Sequence, residues 1–341
     1  MNLPAVSIQP GSLVQLIATA LTISTLLPGA LSAQEQSSWY LHFSMNAERR
    51  PVFCGELDSA ARTEHPRAYK VSFDSLGRPE QVNRMFFRNL DSRAEWTIMK
   101  FRYDTLPSGA VLTRRTWHNP SGFPVKLGIA HGEDVIHDSA GKLLLITAID
   151  SEAQRVERVN AVTKMTFRPE PDGSYMQGWR YSNNKQFSGS EEDRWGTQFA
   201  QLDEEAWFRF YTTDERGFLI EERAADLAQK PVPFPGGEMV RRYERNECGQ
   251  PLTVRFFDLE GNPMTDASGV ARIEYEYDNA LRLVSWSAFD RNGKPAGRKA
   301  KDNAARMVRE YRQFDGVLLR EVLYDASGEE IILPASDEMK G

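Results

Sequence analysis

The residues best placed by type and spacing to do chemistry lie in the run His131-Gly132-Glu133-Asp134-Val135-Ile136-His137-Asp138. On a strand successive side chains alternate between faces, so His131, Glu133 and His137 would share one side, as zinc ligands do. The competing reading is a turn and strand edge, because His137 stands where similar segments of this chain carry Tyr or Phe. A second candidate is the pair of acidic runs Glu191-Glu192-Asp193, before Trp195, and Asp203-Glu204-Glu205, before Trp207. A glycosidase needs an acid, a base and an aromatic platform. The same residues equally describe solvated loops leading into a strand. Asp325-Ala326-Ser327-Gly328-Glu329-Glu330 has half the look of a calcium loop but lacks EF-hand spacing, so it reads as a turn.

The sequence has five histidines and no His-Glu-x-x-His, Gly-x-Ser-x-Gly, Gly-x-x-x-x-Gly-Lys-Ser/Thr or Gly-x-Gly-x-x-Gly motif. Metalloprotease, esterase, P-loop and dinucleotide-binding readings lose their usual support. No catalytic residue, cofactor or metal ligand is assigned. Lys and Arg total 42 and Asp and Glu 48, for a net charge of -6, and the basic residues are scattered among acids. A nucleic-acid partner usually demands a basic face, so none is expected.

The elements that would position any site come from an internal repeat. Residues 242–263 align without a gap on residues 274–295, an offset of 32. The closing signature Phe-Asp-x-x-Gly-x-Pro occurs at Phe257–Pro263, Phe289–Pro295 and Phe73–Pro79. Tyr211, Tyr243 and Tyr275 also stand 32 apart. Within each unit two turn anchors are separated by 12 residues: Asp214 and Asp226, Asn246 and Asp258, Asp278 and Asp290. Asp138 and Asp150 keep this spacing, and an irregular last copy runs from Met307 to Gly328. Around Phe167 to Gln198 the register is not visible.

Ala271 to Tyr277 alternates apolar and charged residues, the period of a strand with one buried face. Val284, Trp286 and Ala288 then form the apolar side of a second strand, as Leu252, Val254 and Phe256 do one unit earlier. Asp258 with Gly261, and Asp290 with Gly293, reverse the chain: Asp bonds the backbone ahead of it and Gly takes a positive φ. The unit is thus a β-hairpin plus a polar connector; one connector, Arg298 to Ala305, is open to a short helix. A hairpin alone is marginal in water, so units must stack to bury their faces.

The fold class expected is all-β: tandem hairpins in an extended antiparallel sheet or β-meander, with little helix beyond the N-terminal segment. The tyrosine series is expected to form a cross-strand ladder or a row in the core. Expected boundaries are a signal peptide at 1–33, a lead-in at 34–68, diverged repeats at 69–166, an irregular segment at 167–205, regular repeats at 206–333 and a tail at 334–341.

Tyr277-Asp278, Tyr324-Asp325-Ala326-Ser327-Gly328, Tyr103-Asp104 and the Phe-Asp-x-x-Gly turns resemble bacterial RHS/YD-type exported β-hairpin repeats. The resemblance covers roughly residues 69–333 with a gap near 170–200, and the period of about 32 is longer than in that family. It implies an envelope or secreted β-repeat protein and no catalytic residues.

The first charged residue is Glu35. Leu13 to Leu27 is apolar, Pro28-Gly29 breaks it, and Ala30-Leu31-Ser32-Ala33 offers small residues for cleavage after Ser32 or Ala33. The n-region carries no basic residue, which leaves an uncleaved anchor or a mis-assigned start as alternatives. No later segment is long and apolar enough to span a membrane. A periplasmic or secreted location is therefore expected, and an oxidising compartment allows a disulfide between the two cysteines, Cys54 and Cys248; two unpaired thiols are the alternative. Repeat stacks present extended recognition surfaces. The expected function is a non-catalytic binding or scaffold module for an unknown protein or glycan ligand of the cell envelope. The alternatives are an exported hydrolase of glycan or cell-wall polymer, with its site in 170–205, and a toxin-associated or immunity repeat protein.

Overall fold

The computed structural model describes residues 37–58, 61–87, 89–92, 94–156, 163–180, 186–187, 207–298, 302–312 and 315–332. The N-terminal segment, both acidic runs with Trp195, and the tail lie outside them.

The described chain is an antiparallel succession of hairpins. The first is β1 (Ser37–Met45) with β2 (Pro51–Leu57), followed by the four-residue helix α1 (Ala61–Glu64). Next come β3 (Arg67–Phe73) with β4 (Pro79–Phe86), the short β5 (Asn89–Leu90), and β6 (Ile98–Thr105) with β7 (Val111–His118). Then follow β8 (Gly132–His137) with β9 (Leu143–Ile149), β10 (Lys164–Pro169) with β11 (Tyr175–Arg180), and the short β12 (Gln186–Phe187). The second half holds β13 (Phe208–Thr213) with β14 (Leu219–Ala225), the short β15 (Pro231–Val232), and β16 (Val240–Arg245) with β17 (Pro251–Phe257). It closes with β18 (Arg272–Tyr277) and β19 (Leu283–Phe289), then β20 (Arg306–Tyr311) and β21 (Leu318–Tyr324). Each hairpin pairs with the next, as β4 with β6, β17 with β18 and β19 with β20. The meander expected from the periodicity is the fold.

One five-residue turn recurs at both ends of the sheet. At Asp278 the amide donates to Arg282 O at 3.0 Å and Oδ1 accepts the amides of Ala280 and Arg282. The same contacts recur at Asp74, Asp138, Asp214 and Asn246. The fourth residue takes a positive φ, +77° at Gly293 and +83° at Gly261. This is a type I turn closed by a left-handed residue. Leu106 has no acceptor side chain and the Glu170 carboxylate is bound by Arg168 instead of the turn amides, yet Gly109 and Gly173 keep the left-handed residue and the turn persists.

These degenerate turns explain why the early register is hard to see. Asp74, Leu106, Asp138 and Glu170 are spaced by 32, so the period holds through β11. The segment 167–205, expected to be irregular, is a regular hairpin as far as Arg180. The step from Glu170 to Asp214 is then 44, which places the extra length after β11. Residues 34–68, expected to be a lead-in, carry the whole β1–β2 hairpin, itself built on the same turn with Asn46 as anchor and Arg49, φ +59°, in the glycine position.

The core follows rows across the strands. Val71, Val82, Met99 and Trp117 are successive cross-strand partners and all are buried. Tyr275, Trp286, Met307 and Leu323 form a second row in the C-terminal half. A fully buried side chain of this size contributes about 1.5–3 kcal/mol. The connectors, read as polar, place an apolar residue six positions after the turn anchor. Val125, Val156 and Val232 pack on the first core, and Met264, Ala296 and Ile331 on the second. Instead of starting a helix, Arg298 forms a β-bridge with Ala304.

Candidate functional site

Among the described residues, the tip of the β1–β2 hairpin is where remote units meet across the sheet. Ala47 N donates to Gly217 O at 2.9 Å and Asn46 Nδ2 to Arg216 O at 2.7 Å. Arg50 Nη2 reaches Gly141 O at 2.5 Å. His137 Nε2 bonds Glu48 O at 2.8 Å, and the Tyr175 hydroxyl donates to Glu48 Oε1 at 2.9 Å. The tip therefore docks on the β8–β9 turn, the β13–β14 turn and β11. Cys54 in β2 is joined by a disulfide to Cys248 in the β16–β17 turn, with a Cα separation of 5.6 Å. The sheet must curve for one hairpin to touch all four hairpins, and a stagger supplies the curvature. Tyr211 pairs with Glu222, which pairs with Arg241, two residues before Tyr243. Tyr243 pairs with Val254, which pairs with Ile273, two residues before Tyr275. A constant shear of this kind coils a sheet.

That shear corrects the expected tyrosine ladder: the three side chains occupy different rows. Tyr211 is buried and stacks on Tyr175 with ring centroids 5.3 Å apart. Tyr243 is half-buried and donates to Glu222. Tyr275 is half-buried beside Trp286. The tyrosines that clamp neighbouring hairpins are others. Tyr103, Tyr277 and Tyr311 donate to the carbonyls of Pro79, Pro251 and Leu283 at 2.9–3.1 Å. Burial pushes Tyr103 and Tyr277 up to about 12, which keeps them donors. The recurring Tyr-Asp dipeptide is the sequence signal for Tyr277.

Two buried carboxylates inside the sheet, Glu133 and Glu222, are paired with arginines. Glu222 accepts bonds from Arg209 and the Tyr243 hydroxyl, with Arg241 Nη1 at 3.8 Å. Burial pushes its carboxyl up, but Arg209, Arg241 and Tyr243 outweigh this and hold it below its ordinary value. Glu133 is bound by Arg115, and both are buried. The suggested His131, Glu133, His137 site is therefore not assembled: Glu133 is held by Arg115, His137 is turned to Glu48 O, and a bulge precedes His137. Among the described residues no cluster of three or more His, Cys, Asp or Glu is placed to hold a metal ion. Asp258, Gly261, Asp290 and Gly293 lie in solvent-facing turns, where their bonds are local.

Beside the docked tip lies a cavity of about 580 Å³, between β1, β11, β13 and the turns before β14 and β17. Arg49, Arg209 and Arg245 line it with His42, Gln177 and Tyr211. Burial lowers the His42 pKa and Arg209 is paired with Glu222, so the positive charge of the wall comes from Arg49 and Arg245. Arg245 donates to Leu219 O and Gly249 O, both at 2.6 Å. The arrangement can hold an anion; it shows no paired nucleophile and base among the described residues. The sequence does not reveal this site because its residues come from five separate segments.

No protein-family model matches the chain, and no curated protein matches it. Weak structural similarity exists to solved Tc-toxin structures. The Tc holotoxin pore of Photorhabdus luminescens matches with 9% identity and a TM-score of 0.27, over 85% of this chain and 21% of that one. A TcdB2–TccC3–Cdc42 crystal structure matches with 10% identity and a TM-score of 0.20, over 86% and 20%. The chain spans about one fifth of the length of the structures it matches.

Proposed function

We propose that this chain is a non-catalytic β-repeat module that acts outside the cytoplasm, in the periplasm or the medium, and binds a protein or glycan of the cell envelope. The observation that carries the reading is the first hairpin, held against distant turns by polar bonds and by Cys54–Cys248 around a cationic cavity. A disulfide of this kind persists in oxidising compartments. The charge-poor N-terminus supports export. Among the described residues no helix is long and apolar enough to cross a membrane.

Fractionation should place the chain in the periplasm or medium, beginning at Ala33 or Gln34. Incubated with envelope extract, it should retain a partner whose mass is unchanged after hours. A cytosolic chain retaining Met1 contradicts export. A retained glycan that shortens on incubation replaces binding with hydrolysis. A toxin-associated role is the second reading, favoured by the stacking of hairpins on one recurrent Asp-x-x-Gly turn; co-purification with an effector polypeptide would select it.

A further inference from the structure

Among the described residues β21 pairs with β20 alone, so its other side is an open edge of the sheet. An edge strand presents backbone amides and carbonyls to any passing strand, and proteins shield such edges with Lys, Pro or very short length. β21 has seven residues, Leu318-Leu319-Arg320-Glu321-Val322-Leu323-Tyr324, with no Lys and no Pro. Leu318 and Leu319 are 44% and 59% exposed, and Ile332, just past the turn, is 89% exposed.

The preceding units show what such an edge takes. β17 and β19 hold the same place in their hairpins, and each is covered by the first strand of the next hairpin. Val254 there faces Ile273, and Trp286 faces Met307. Phe256 N donates to Ala271 O at 3.1 Å, and Ala288 N to Ala305 O at 2.8 Å. Leu323 faces Met307 within its hairpin as Ala288 faces Ile273, so Leu323 is the counterpart of Ala288, and Glu321 that of Trp286. The fold-back after the turn is copied too, since Ile331 N donates to Leu323 O as Ala296 N does to Ala288 O. Backbone groups alternate sides along a strand, so the Glu321 and Leu323 amides point away from β20.

We infer that the open edge of β21 binds an extended segment of a partner protein, added antiparallel as a further strand with an acidic residue facing Arg320. Main-chain bonds give such an addition its affinity, and alternate side chains give it selectivity. The acid is called for by charge and allowed by precedent: Arg320 is the counterpart of Ser285 and Thr253, and Thr253 faces Glu274. Arg320 lies 3.3 Å from Glu330, but this is an exposed pair, worth little, and leaves Arg320 open to a second carboxylate. A second copy of this chain fits less well. Symmetric pairing of β21 centred on Glu321 or on Arg320 sets like charges opposite each other, which is destabilising. This assignment rests on the binding-module reading and names the partner as a polypeptide.

A synthetic peptide with the sequence of residues 270–277 is the probe, because it is the strand that covers β17. It should bind the oxidised full chain saturably by calorimetry and slow hydrogen exchange at the Glu321 and Leu323 amides. Glu321→Pro removes an open amide at a place where an edge strand tolerates Pro. Glu321→Ala loses the ion pair with Arg309 and keeps the amide. The first should weaken peptide binding about tenfold and the second should leave it unchanged. Arg320→Glu should weaken the parent peptide and prefer its Glu274→Lys version, a readout that survives a failure of Glu321→Pro to fold. Absence of saturable binding overturns the inference. So does binding that leaves exchange at Glu321 and Leu323 untouched, or an Arg320→Glu chain with the parent's preference. A dimer that excludes the peptide would give the edge to a second copy and overturn it as well. Failure of the peptide with an envelope protein still retained would remove the edge and leave the module reading intact; peptide binding with no retained envelope partner would do the reverse.

Discussion

Single residues in this protein are governed by whether a partner exists for what they bury. Tyr275 lies half-buried against Trp286, whereas Glu276 on the opposite face is exposed. Tyr275→Ala should cost about 2 kcal/mol, less than for a fully buried ring, and Glu276→Ala within about 0.5 kcal/mol. Urea denaturation of the two variants checks this; equal, negligible losses would place the tyrosine outside the core. Titration follows the same logic. Burial lowers the His137 pKa, so the unfolded chain binds more protons than the folded one below about pH 6.5. Glu222, held down by Arg209, Arg241 and Tyr243, adds stability that is complete above its unfolded pKa, about 4.3, and lost as pH falls through the lower folded value. Stability should therefore decline in two stages on acidification, the first beginning near pH 6.5. His137→Gln should remove part of the first stage in melting curves; a profile that rises from pH 7 to pH 5 would contradict the assignment.

At the scale of the element, turns and strands are legible in the sequence because their physics is local. Alternation in Ala271–Tyr277 and the Asp-x-x-Gly signatures are enough to write down the hairpins. Copies without Asp or Asn at the anchor, as at Leu106 and Glu170, stay hidden because only the glycine survives. The connectors read as wholly polar for a related reason: a single apolar residue such as Val156 or Met264 in a polar stretch has no periodicity to reveal it. The glycines themselves divide into two kinds. Gly293 has φ +77° and open space where a methyl group would stand, so Gly293→Ala should cost about 1–2 kcal/mol from backbone strain alone. At Gly249, also φ +77°, a Cβ would lie 2.2 Å from the Phe218 ring, and Gly249→Ala should cost distinctly more, about 3 kcal/mol. Chemical denaturation of the pair separates strain from collision.

Across the whole molecule, long-range closure is what the sequence conceals. Nothing in residues 34–68 announces that Asn46 will meet Arg216, 170 positions later. The two-residue stagger that brings them together is a property of pairing between units. The cavity has the same origin, since Arg49, Gln177, Arg209 and Arg245 are brought together only by that curvature. The two cysteines allow a bridge from sequence, but spacing alone cannot supply the Cα approach of 5.6 Å. A cross-link spanning 194 residues restricts the unfolded chain strongly, and replacing both cysteines with serine should cost about 3–5 kcal/mol. The loss should appear as a lower urea midpoint, matched by adding reductant to the parent.

The docking of the first hairpin on the β16–β17 turn is the claim on which the cavity and the binding reading both depend. Peptide mapping of the unreduced, mature protein by mass spectrometry tests it most directly. One linked pair of peptides, containing Cys54 and Cys248, is expected, with no thiol open to alkylation until reductant is added. Alkylation of both cysteines in the folded, unreduced protein would contradict it.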